Sequence, residues 1–264
     1  MPELAEVEFF RKRWDAGLGR KVIGLQLHPK KRIFRGSDPR VLKRHLFGQM
    51  LLRSEARGKQ MLFIFSGQNW VGIHLGMSGH LRIEEPGFRA GTHDHLVFQQ
   101  KQQALVFRDA RQFGRARFHH GKDVPDWWTS SAPEVHSRQF TQKAMNAFVE
   151  RHRRAPIKAV LLLQSGFPGI GNWMADEILW RAQIAPWERA GALGPKKLHA
   201  LWRNVRFVAR ASLRTIGRDN SDPPKKWLLH ERWKADGKCP IHGTLLRRET
   251  IGGRTTAWCP RCQK

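Results

Sequence analysis

The chain has 264 residues, and 48 Lys+Arg against 22 Asp+Glu give a formal net charge of +26 at pH 7. A hydrophobic content of 40% excludes a disordered basic tail, because such tails have too few apolar groups to bury. No apolar run approaches the roughly 18 residues of a membrane span, and no secretion signal is visible at the start. The charge predicts a polyanionic partner, nucleic acid first, because neutralised phosphates release counterions. An anionic membrane surface and a merely solvated basic surface are the alternatives.

The first half of the chain has the pattern of a β-rich domain. Helices are predicted at residues 5–16 and near residues 41–46. Short apolar or alternating runs, separated by Gly, Asn and polar turns, predict strands at 22–27, 61–65, 71–74, 81–83, 96–98, 105–108 and 115–118. This pattern indicates a sandwich or a barrel, and the proline-bounded stretch 125–133 is predicted to be a linker.

The periodicity becomes helical in the second half. Helices are predicted at 141–153 with Thr141 as N-cap, at 157–164, at 173–181, and at 195–213 with Pro195 in the first turn. Residues 238–264 are too few for a core of their own. We predict an α+β multidomain protein: an N-terminal β-sandwich with flanking helices (1–130), a helical domain (131–234) and a zinc-finger β-hairpin (235–264).

Two ligand pairs in the tail predict a structural zinc site. Cys239 and His242 form a C-x-x-H knuckle, and Cys259 and Cys262 form a C-x-x-C knuckle. A β-hairpin can bring two such knuckles around tetrahedral Zn²⁺, and four protein ligands leave no place for a catalytic water. Three cysteines also disfavour a disulfide framework and fit a reducing compartment. The alternative is a reduced C-x-x-C beside an unrelated histidine.

The N-terminus offers a reactive amine. Methionine before a small residue such as Pro2 is normally removed, which leaves a secondary amine. Terminal amines titrate around 7.7–8.0, so a useful fraction can attack an aldehyde or a sugar C1′. Glu3 and Glu6 lie close in sequence, and a carboxylate there could shuttle protons. By itself this pattern also fits an ordinary N-terminus.

Six short segments, spread over the whole chain, form a recognisable set. They are MPELAEVE at 1–8, HLGMSG at 74–79, THDH at 92–95, DARQFG at 109–114, GIGNWMADE at 169–177, and the knuckles ending in CQK. Together they resemble the formamidopyrimidine-DNA glycosylase / endonuclease VIII family, whose motifs run in the same order. The resemblance implies that residues 131–234 contain a helix–two-turns–helix motif.

The resemblance also implies a bifunctional DNA repair enzyme. Such an enzyme everts a damaged base, cleaves its N-glycosidic bond, and cuts the strand by β,δ-elimination through a Schiff base. At the matching positions, Pro2 is the nucleophile, Glu3 is the proton donor to the opening sugar, and Lys59 touches phosphate and assists elimination. Glu6 is a further catalytic candidate. Structural zinc is the only cofactor implied, and Lys59 could instead be an ordinary lysine at a strand edge.

A set of DNA-binding residues follows from the same resemblance. Met77, Arg111 and Phe113 match the residues that fill the void left by the everted base, a role that suits a flexible apolar chain, a guanidinium and an aromatic wedge. The phosphate-binding positions of the family are matched by four residues: Lys158, Asn172, Arg254 and, less closely, His74. For Met77 and Phe113 the alternative is a core position, and for Asn172 it is a plain helix N-cap.

The chain departs from the family pattern in ways that bear on the lesion. Residues 217–238 form a shorter, more polar segment than the loop that closes over 8-oxoguanine in related enzymes. We therefore predict weak excision of 8-oxoguanine and better excision of ring-opened purines, hydantoins or oxidised pyrimidines. The chain has no Tyr and 11 Trp, and Trp173, Trp227 and Trp233 either stack on a base or pack in the core.

The expected partner is damaged double-stranded DNA, with single-stranded DNA as an alternative substrate. We expect a monomer without a membrane partner, in the cytoplasm and with the nucleoid if the source is bacterial. Two rival functions stay open at this point. One is a catalytically silent member of the same fold that binds damaged DNA, and the other is a zinc-ribbon RNA-binding protein.

Overall fold

A computed structural model describes residues 1–28 and 31–264 of the chain. The chain divides into two compact units: Met1–Pro2 with Glu6–Ser131, and Glu3–Ala5 with Ala132–Lys264. The domain limits predicted from the sequence stay predictions. Each unit is described by itself below.

Two antiparallel four-stranded sheets form the sandwich of the first unit. The strands are β1 Gly24–Leu27, β2 Leu51–Arg57, β3 Gln60–Phe65, β4 Asn69–His74, β5 His80–Glu84, β6 Asp94–Gln99, β7 Ala104–Arg108 and β8 Arg115–His120. One sheet has the order β1-β6-β7-β5 and the other the order β2-β3-β4-β8. The sandwich expected from the sequence is confirmed.

The core of the sandwich is aromatic. Phe63 and Phe65 on β3 are buried, because alternate residues of a strand face the same side. The Trp14 ring packs on Phe63 at 4.7 Å and on Phe98 at 5.5 Å between ring centroids. Val7 and Trp14 are both buried, two helical turns apart, so the N-terminal segment covers this core.

Three helices accompany these strands, namely α1 Leu4–Arg13, α2 Pro39–Leu46 and α3 Asp126–Thr129. A 3₁₀ turn, Trp14–Gly17, follows α1. Asp38 caps α2 by accepting a hydrogen bond from the Arg40 N–H at 2.8 Å. The stretch predicted as a linker therefore contains a short helix, α3.

The second unit is helical. Its helices are α4 Gln142–Arg151, α5 Ile157–Leu161, α6 Asn172–Ala182, α7 Pro195–Arg214 and α8 Ile216–Asp219. Thr141 caps α4, as predicted, by accepting a hydrogen bond from the Ala144 N–H at 3.2 Å. Helix α5 ends at Leu161, three residues before the predicted end. The turns between α5 and α6 include Gly169, whose φ of +88° suits glycine.

A two-stranded hairpin closes the chain. Strands β9 Arg247–Ile251 and β10 Arg254–Trp258 pair antiparallel, and Gly252 and Gly253 form the two-residue turn with φ of +59° and +72°. Positive φ at both positions is what a tight hairpin turn of this type requires. A side chain at Gly252 would meet the Cβ of Ala159 at 2.9 Å, so the turn lies against α5.

Within the described ranges, no helix combines the length and the apolar character that crossing a bilayer would need.

Candidate active site and nucleic-acid interface

The carboxylate of Glu3 is fixed at the start of α6. Its Oε2 accepts hydrogen bonds from the N–H groups of Gly171 (2.9 Å) and Met174 (3.1 Å), and its Oε1 accepts one from Trp173 (2.9 Å). Only 2% of Glu3 is exposed. A helix N-terminus presents unpaired N–H groups and a positive dipole end, and both stabilise the anionic carboxylate.

Gly171 makes this arrangement possible. A Cβ at Gly171 would lie 2.3 Å from the Cδ of Glu3, far inside van der Waals contact. Gly171 of the sequence motif therefore lets a carboxylate approach the helix end. This contact gives a physical reason for the pairing of an N-terminal Glu with a Gly-containing turn about 170 residues later.

The other N-terminal candidates lie at the beginning of the chain and of α1. Pro2 is half-buried and precedes α1 directly. Its nitrogen is an amide while Met1 is attached, so its nucleophilicity depends on removal of Met1. Glu6 is half-buried in the first turn of α1.

Lys59 and His74 are neighbours across two strands. Lys59 follows Gly58 in the β2–β3 turn and is 9% exposed, and the next residue, Gln60, pairs with His74. Burial, with the positive charges of Lys59, Arg35 and Arg117, lowers the pKa of His74 to about 4. Its Nδ1 accepts a hydrogen bond from the Gly76 N–H at 3.0 Å. His74 is therefore neutral near pH 7 and can offer a phosphate a neutral N–H only.

The three predicted void-filling residues occupy two adjoining loops. Met77 is 39% exposed and Phe113 is 42% exposed, so neither is a core residue. The Arg111 guanidinium lies 4.8 Å from the Phe113 ring centroid. A Cβ at Gly76 would lie 2.4 Å from the Gly114 nitrogen and the Phe113 carbonyl carbon, so the loops touch through their backbones.

Asp109 fastens these two loops together, a role that the sequence motif did not reveal. It is fully buried. Its Oδ1 accepts the Ser78 hydroxyl at 2.7 Å, and its Oδ2 accepts the Gly114 N–H at 2.7 Å. Ser78 follows Met77 and Gly114 follows Phe113, so one carboxylate sets the separation of the two exposed side chains. We call this arrangement the Asp109 clasp.

The structure corrects the role predicted for Lys158. Its side chain is fully buried, and its amino group donates to Asp176 and to the Asn172 carbonyl at 3.0 Å. An amino group enclosed in this way cannot contact a phosphate, so the prediction of a direct phosphate ligand is wrong. Lys158 instead stabilises the first turns of α6 from within the core of the second unit.

Asp176 organises this buried network. Besides Lys158, it binds the Arg232 guanidinium and accepts the N–H of Ala257 on β10 at 3.2 Å. It therefore joins α5, α6 and the hairpin through charge-assisted hydrogen bonds. Asp176 belongs to the ADE segment of the motif, but its spacing gave no sign of this role.

Asn172 and Arg254 lie where α6 meets the hairpin. Asn172 is the first residue of α6, after Gly171 as the N-cap. It is not the cap itself: its Nδ2 donates to the Thr255 carbonyl at 2.8 Å. Its buried Oδ1 has no hydrogen-bond partner within the described part of the chain. Arg254 follows the Gly252–Gly253 turn and is exposed, so its guanidinium is available to a phosphate.

The three tryptophans differ in exposure, so some fit packing in the core and one fits stacking on a base. Trp173 and Trp227 are 6% and 2% exposed and belong to the core of the helical unit. Trp233 is 67% exposed, with the Arg232 guanidinium 3.9 Å from its ring centroid. Only Trp233 of these three offers an open ring face.

Four side chains at the base of the hairpin fit a tetrahedral metal ion. The ligand atoms of Cys239, His242, Cys259 and Cys262 all lie within 4.8 Å of one another. Cys239 Sγ is 3.7 Å from Cys262 Sγ and 3.6 Å from His242 Nδ1. A tetrahedron with Zn–S bonds of about 2.3 Å and Zn–N bonds of about 2.0 Å has edges of roughly 3.5–3.8 Å. Trp180 Nε1 donates to Cys239 Sγ at 3.4 Å and orients this ligand.

Comparisons with protein families match most of the chain. Residues 1–116 match the model of the formamidopyrimidine-DNA glycosylase N-terminal domain, and residues 131–222 match the model of the H2TH domain of the same enzyme. The formamidopyrimidine-DNA glycosylase of Thermomicrobium roseum is 33% identical over 100% of this chain and 99% of its own length. The protein of that name from Pelotomaculum thermopropionicum is 31% identical, with the same two coverages of 100% and 99%.

Solved structures are similar over the same extent. A complex of Lactococcus lactis Fpg with DNA containing an abasic site has a TM-score of 0.89 and 26% identity, and covers 99% of both chains. A complex of MutM with DNA containing carbocyclic 8-oxo-G has a TM-score of 0.88 and 26% identity, and covers 100% of both chains.

Proposed function

The chain belongs to the formamidopyrimidine-DNA glycosylase family, and from this premise we propose that it is a bifunctional DNA glycosylase and AP lyase of base excision repair. The observation that carries the proposal is the fixation of Glu3: the residue after the proposed nucleophile is a buried carboxylate held by three backbone N–H groups.

The proposed reaction begins at the amine of Pro2, once Met1 has been removed. The amine nitrogen attacks C1′ of the damaged nucleoside, and the bond from C1′ to the base breaks, with the electron pair leaving on the base. Glu3 takes up the proton that the attached amine loses and donates it to the ring oxygen O4′, and water protonates the released base. The C1′–O4′ bond then breaks, and an iminium ion forms between Pro2 and C1′.

Strand cleavage follows from this iminium ion. Loss of a proton from C2′ expels the 3′ phosphate, and a second proton loss expels the 5′ phosphate. Water then hydrolyses the iminium ion and releases Pro2. Lys59, buried beside the β2–β3 turn, is the proposed phosphate contact that assists elimination, and Glu6 is the second proposed proton carrier.

The proposed DNA contacts follow from exposure. Met77 and Phe113 are half-exposed loop residues of the kind that fill the gap left by an everted base, and Arg111 is the proposed partner of the orphan base. Arg254 and Asn172 are the proposed phosphate contacts. Neutral His74 is proposed to contribute an N–H, not a positive charge.

We propose Zn²⁺ as the metal held by Cys239, His242, Cys259 and Cys262. Four protein ligands make its role structural, because no coordination position is left for water. The ion would hold the hairpin that carries Arg254. Inductively coupled plasma mass spectrometry of the purified protein should give one zinc per chain, and a His242→Ala variant should lose it.

The lesion preference rests on residues 217–238. Trp227, Leu228 and Arg232 are buried, which anchors the second half of this segment in its own unit. The exposed span is therefore short, and we propose that it does not enclose 8-oxoguanine. The proposed substrates are ring-opened purines, hydantoins or oxidised pyrimidines in duplex DNA, with single-stranded DNA to be compared in the same lesion panel.

Excision and strand cleavage of lesion duplexes test this proposal. The wild-type protein should release the base and leave phosphates on both ends of the gap. Glu3→Gln should lose both activities, because an amide cannot carry the proton to O4′ and its nitrogen cannot accept one of the N–H groups that hold the carboxylate. Glu8→Gln is the matched control on α1, where Glu8 pairs with Arg11 and Lys12. Duplex binding without base release by the wild-type protein would identify a non-catalytic binder of damaged DNA.

A further inference from the structure

A cationic stripe runs along α7, outside the residues proposed to contact the lesion. Its members are exposed and lie one helical turn apart on one face: Lys196, His199, Arg203, Phe207, Arg210 and Arg214. We call this the α7 stripe. Helix α7 contains no Asp or Glu in its 20 residues.

The stripe has no internal counter-charge. Among the described residues, none of Arg203, Arg210 and Arg214 forms an ion pair with a carboxylate. Arg206 beside them is held by carbonyl groups, donating to Ser137 at 2.6 Å and to Phe140 at 3.2 Å. Burial and the nearby charge of Arg210 lower the pKa of the Arg206 guanidinium. Like charges at four-residue spacing repel, so an ordinary solvated helix face would intersperse acidic residues.

Phe207 gives the stripe an aromatic centre. It is 46% exposed between Arg203 and Arg210. Two clefts meet at its ring: one of about 310 Å³ lined by Arg181, Ala200, Arg203, Asn204 and Phe207, and one of about 480 Å³ lined by Trp202, Arg203, Arg206, Phe207, Arg210 and Arg214. The Arg181 guanidinium lies 5.0 Å from the Phe207 ring centroid.

This centre is distinct from the end of α6 that carries Asn172. Arg181, which touches Phe207, is in the last turn of α6. Asn172 and Arg181 are nine positions apart, which is about 14 Å along the helix axis. The stripe is therefore a separate surface of the second unit.

We propose that the α7 stripe is a second nucleic-acid site that binds a single strand, with arginines on the phosphates and Phe207 stacked on an unpaired base. Charge complementarity selects a polyanion. The exposed ring selects a single strand over a duplex, because only unpaired bases offer a face for stacking. Such a site would hold a displaced or unpaired strand while the lesion-bearing segment is bound elsewhere.

Fluorescence anisotropy with labelled oligo(dT) of about 12 nucleotides, titrated at several salt concentrations, tests the proposal. Phe207→Ala should weaken binding about fivefold or more, whereas Phe207→Trp, which keeps a stacking face, should retain it. The double variant Arg203→Gln/Arg214→Gln, at exposed positions with no fold role, should lower the magnitude of the log–log salt slope by about 1.4. Arg44→Gln on α2 and Phe47→Ala directly after α2 are the matched controls, because both residues are exposed.

Three results would overturn the proposal. The stripe variants could bind oligo(dT) with the affinity and salt slope of the α2 controls. Phe207→Ala could weaken the binding of undamaged duplex as much as the binding of oligo(dT), which would exclude base stacking. Polyglutamate could compete as well as oligo(dT), which would indicate an acidic protein partner. Lesion excision, measured in parallel, should be unchanged in all these variants, so the glycosylase proposal is judged separately.

Discussion

Removal of the Asp109 carboxylate should loosen both loops that carry the exposed Met77 and Phe113. Asp109→Ala deletes the acceptor of the Ser78 hydroxyl and of the Gly114 N–H, both at 2.7 Å in a fully buried place. Hydrogen bonds to charged groups contribute about 1.5–3 kcal/mol each, and a buried N–H left without an acceptor costs about 1–3 kcal/mol. We expect the free energy of unfolding to fall by about 3–5 kcal/mol.

Asp109→Asn is the matched control, because its amide can keep both contacts. The side-chain oxygen can accept from the Gly114 N–H, and the amide nitrogen can donate to the Ser78 oxygen after the hydroxyl rotates. We expect a loss of about 1 kcal/mol. Ser78→Ala, which removes one contact only, should fall between the two.

Urea unfolding measures these differences, and excision kinetics measure their effect on the reaction. If the clasp positions the loops, Asp109→Asn should keep kcat/KM close to wild type, whereas Asp109→Ala should lower it even at temperatures where the protein stays folded. Equal stability of Asp109→Ala and Asp109→Asn, or full activity of folded Asp109→Ala, would refute the reasoning.

Three further predictions follow from the site. The pKa of His74 is about 4 in the folded protein against an ordinary value near 6.5. As the pH falls, His74 is therefore protonated in the unfolded chain at a higher pH than in the folded protein. Stability should therefore fall by about 3 kcal/mol as the pH drops from 6.5 to 4, and urea titrations should show a flatter pH profile for His74→Gln. Gly171→Ala should displace the Glu3 carboxylate and lower excision at least about tenfold, a barrier increase of about 1.4 kcal/mol, and unchanged kinetics would contradict the packing. Arg254→Gln should reduce the magnitude of the salt slope for duplex binding by about one, whereas Lys158→Met should leave the slope unchanged. A smaller slope for Lys158→Met would show that Lys158 contacts a phosphate after all.

The elements with a strong local signal could be predicted from the sequence. The apolar core strands, such as β3, and the capped helix α4 lie close to their expected positions. Strand β2 was missed because it lies at the edge of its sheet: among the described strands only β3 pairs with it, and its residues are largely polar and half-exposed. An edge strand needs only one ladder of hydrogen bonds, so its sequence carries little periodicity.

The candidate site was predictable where residue type dictates chemistry. Three cysteines and one histidine at knuckle spacing favour a metal site, and the structure brings their ligand atoms together. Lys158 shows the limit of such reasoning. A lysine at a matched position is compatible with a phosphate contact and with a buried ion pair, and the folded position of Asp176, 18 residues later, decides between them.

The Asp109 clasp and the Glu3 cap depend on long-range contacts of the same kind. Asp109 reaches Ser78 across 31 residues, and Glu3 reaches Gly171 across 168 residues. Neither pair has a periodic or local signature. The motifs mark these residues, but their physical role follows only from the folded chain.

Borohydride trapping on abasic-site DNA tests the central claim, that Pro2 is the nucleophile, most directly. Reduction of the iminium ion should give one covalent protein–DNA adduct, which mass spectrometry of the digested complex should locate at the N-terminal proline. The adduct should be lost when Met1 is retained or another residue precedes Pro2, and it should fall sharply in Pro2→Gly. An adduct of undiminished yield with a blocked N-terminus, or one located at a lysine such as Lys59, would contradict the account.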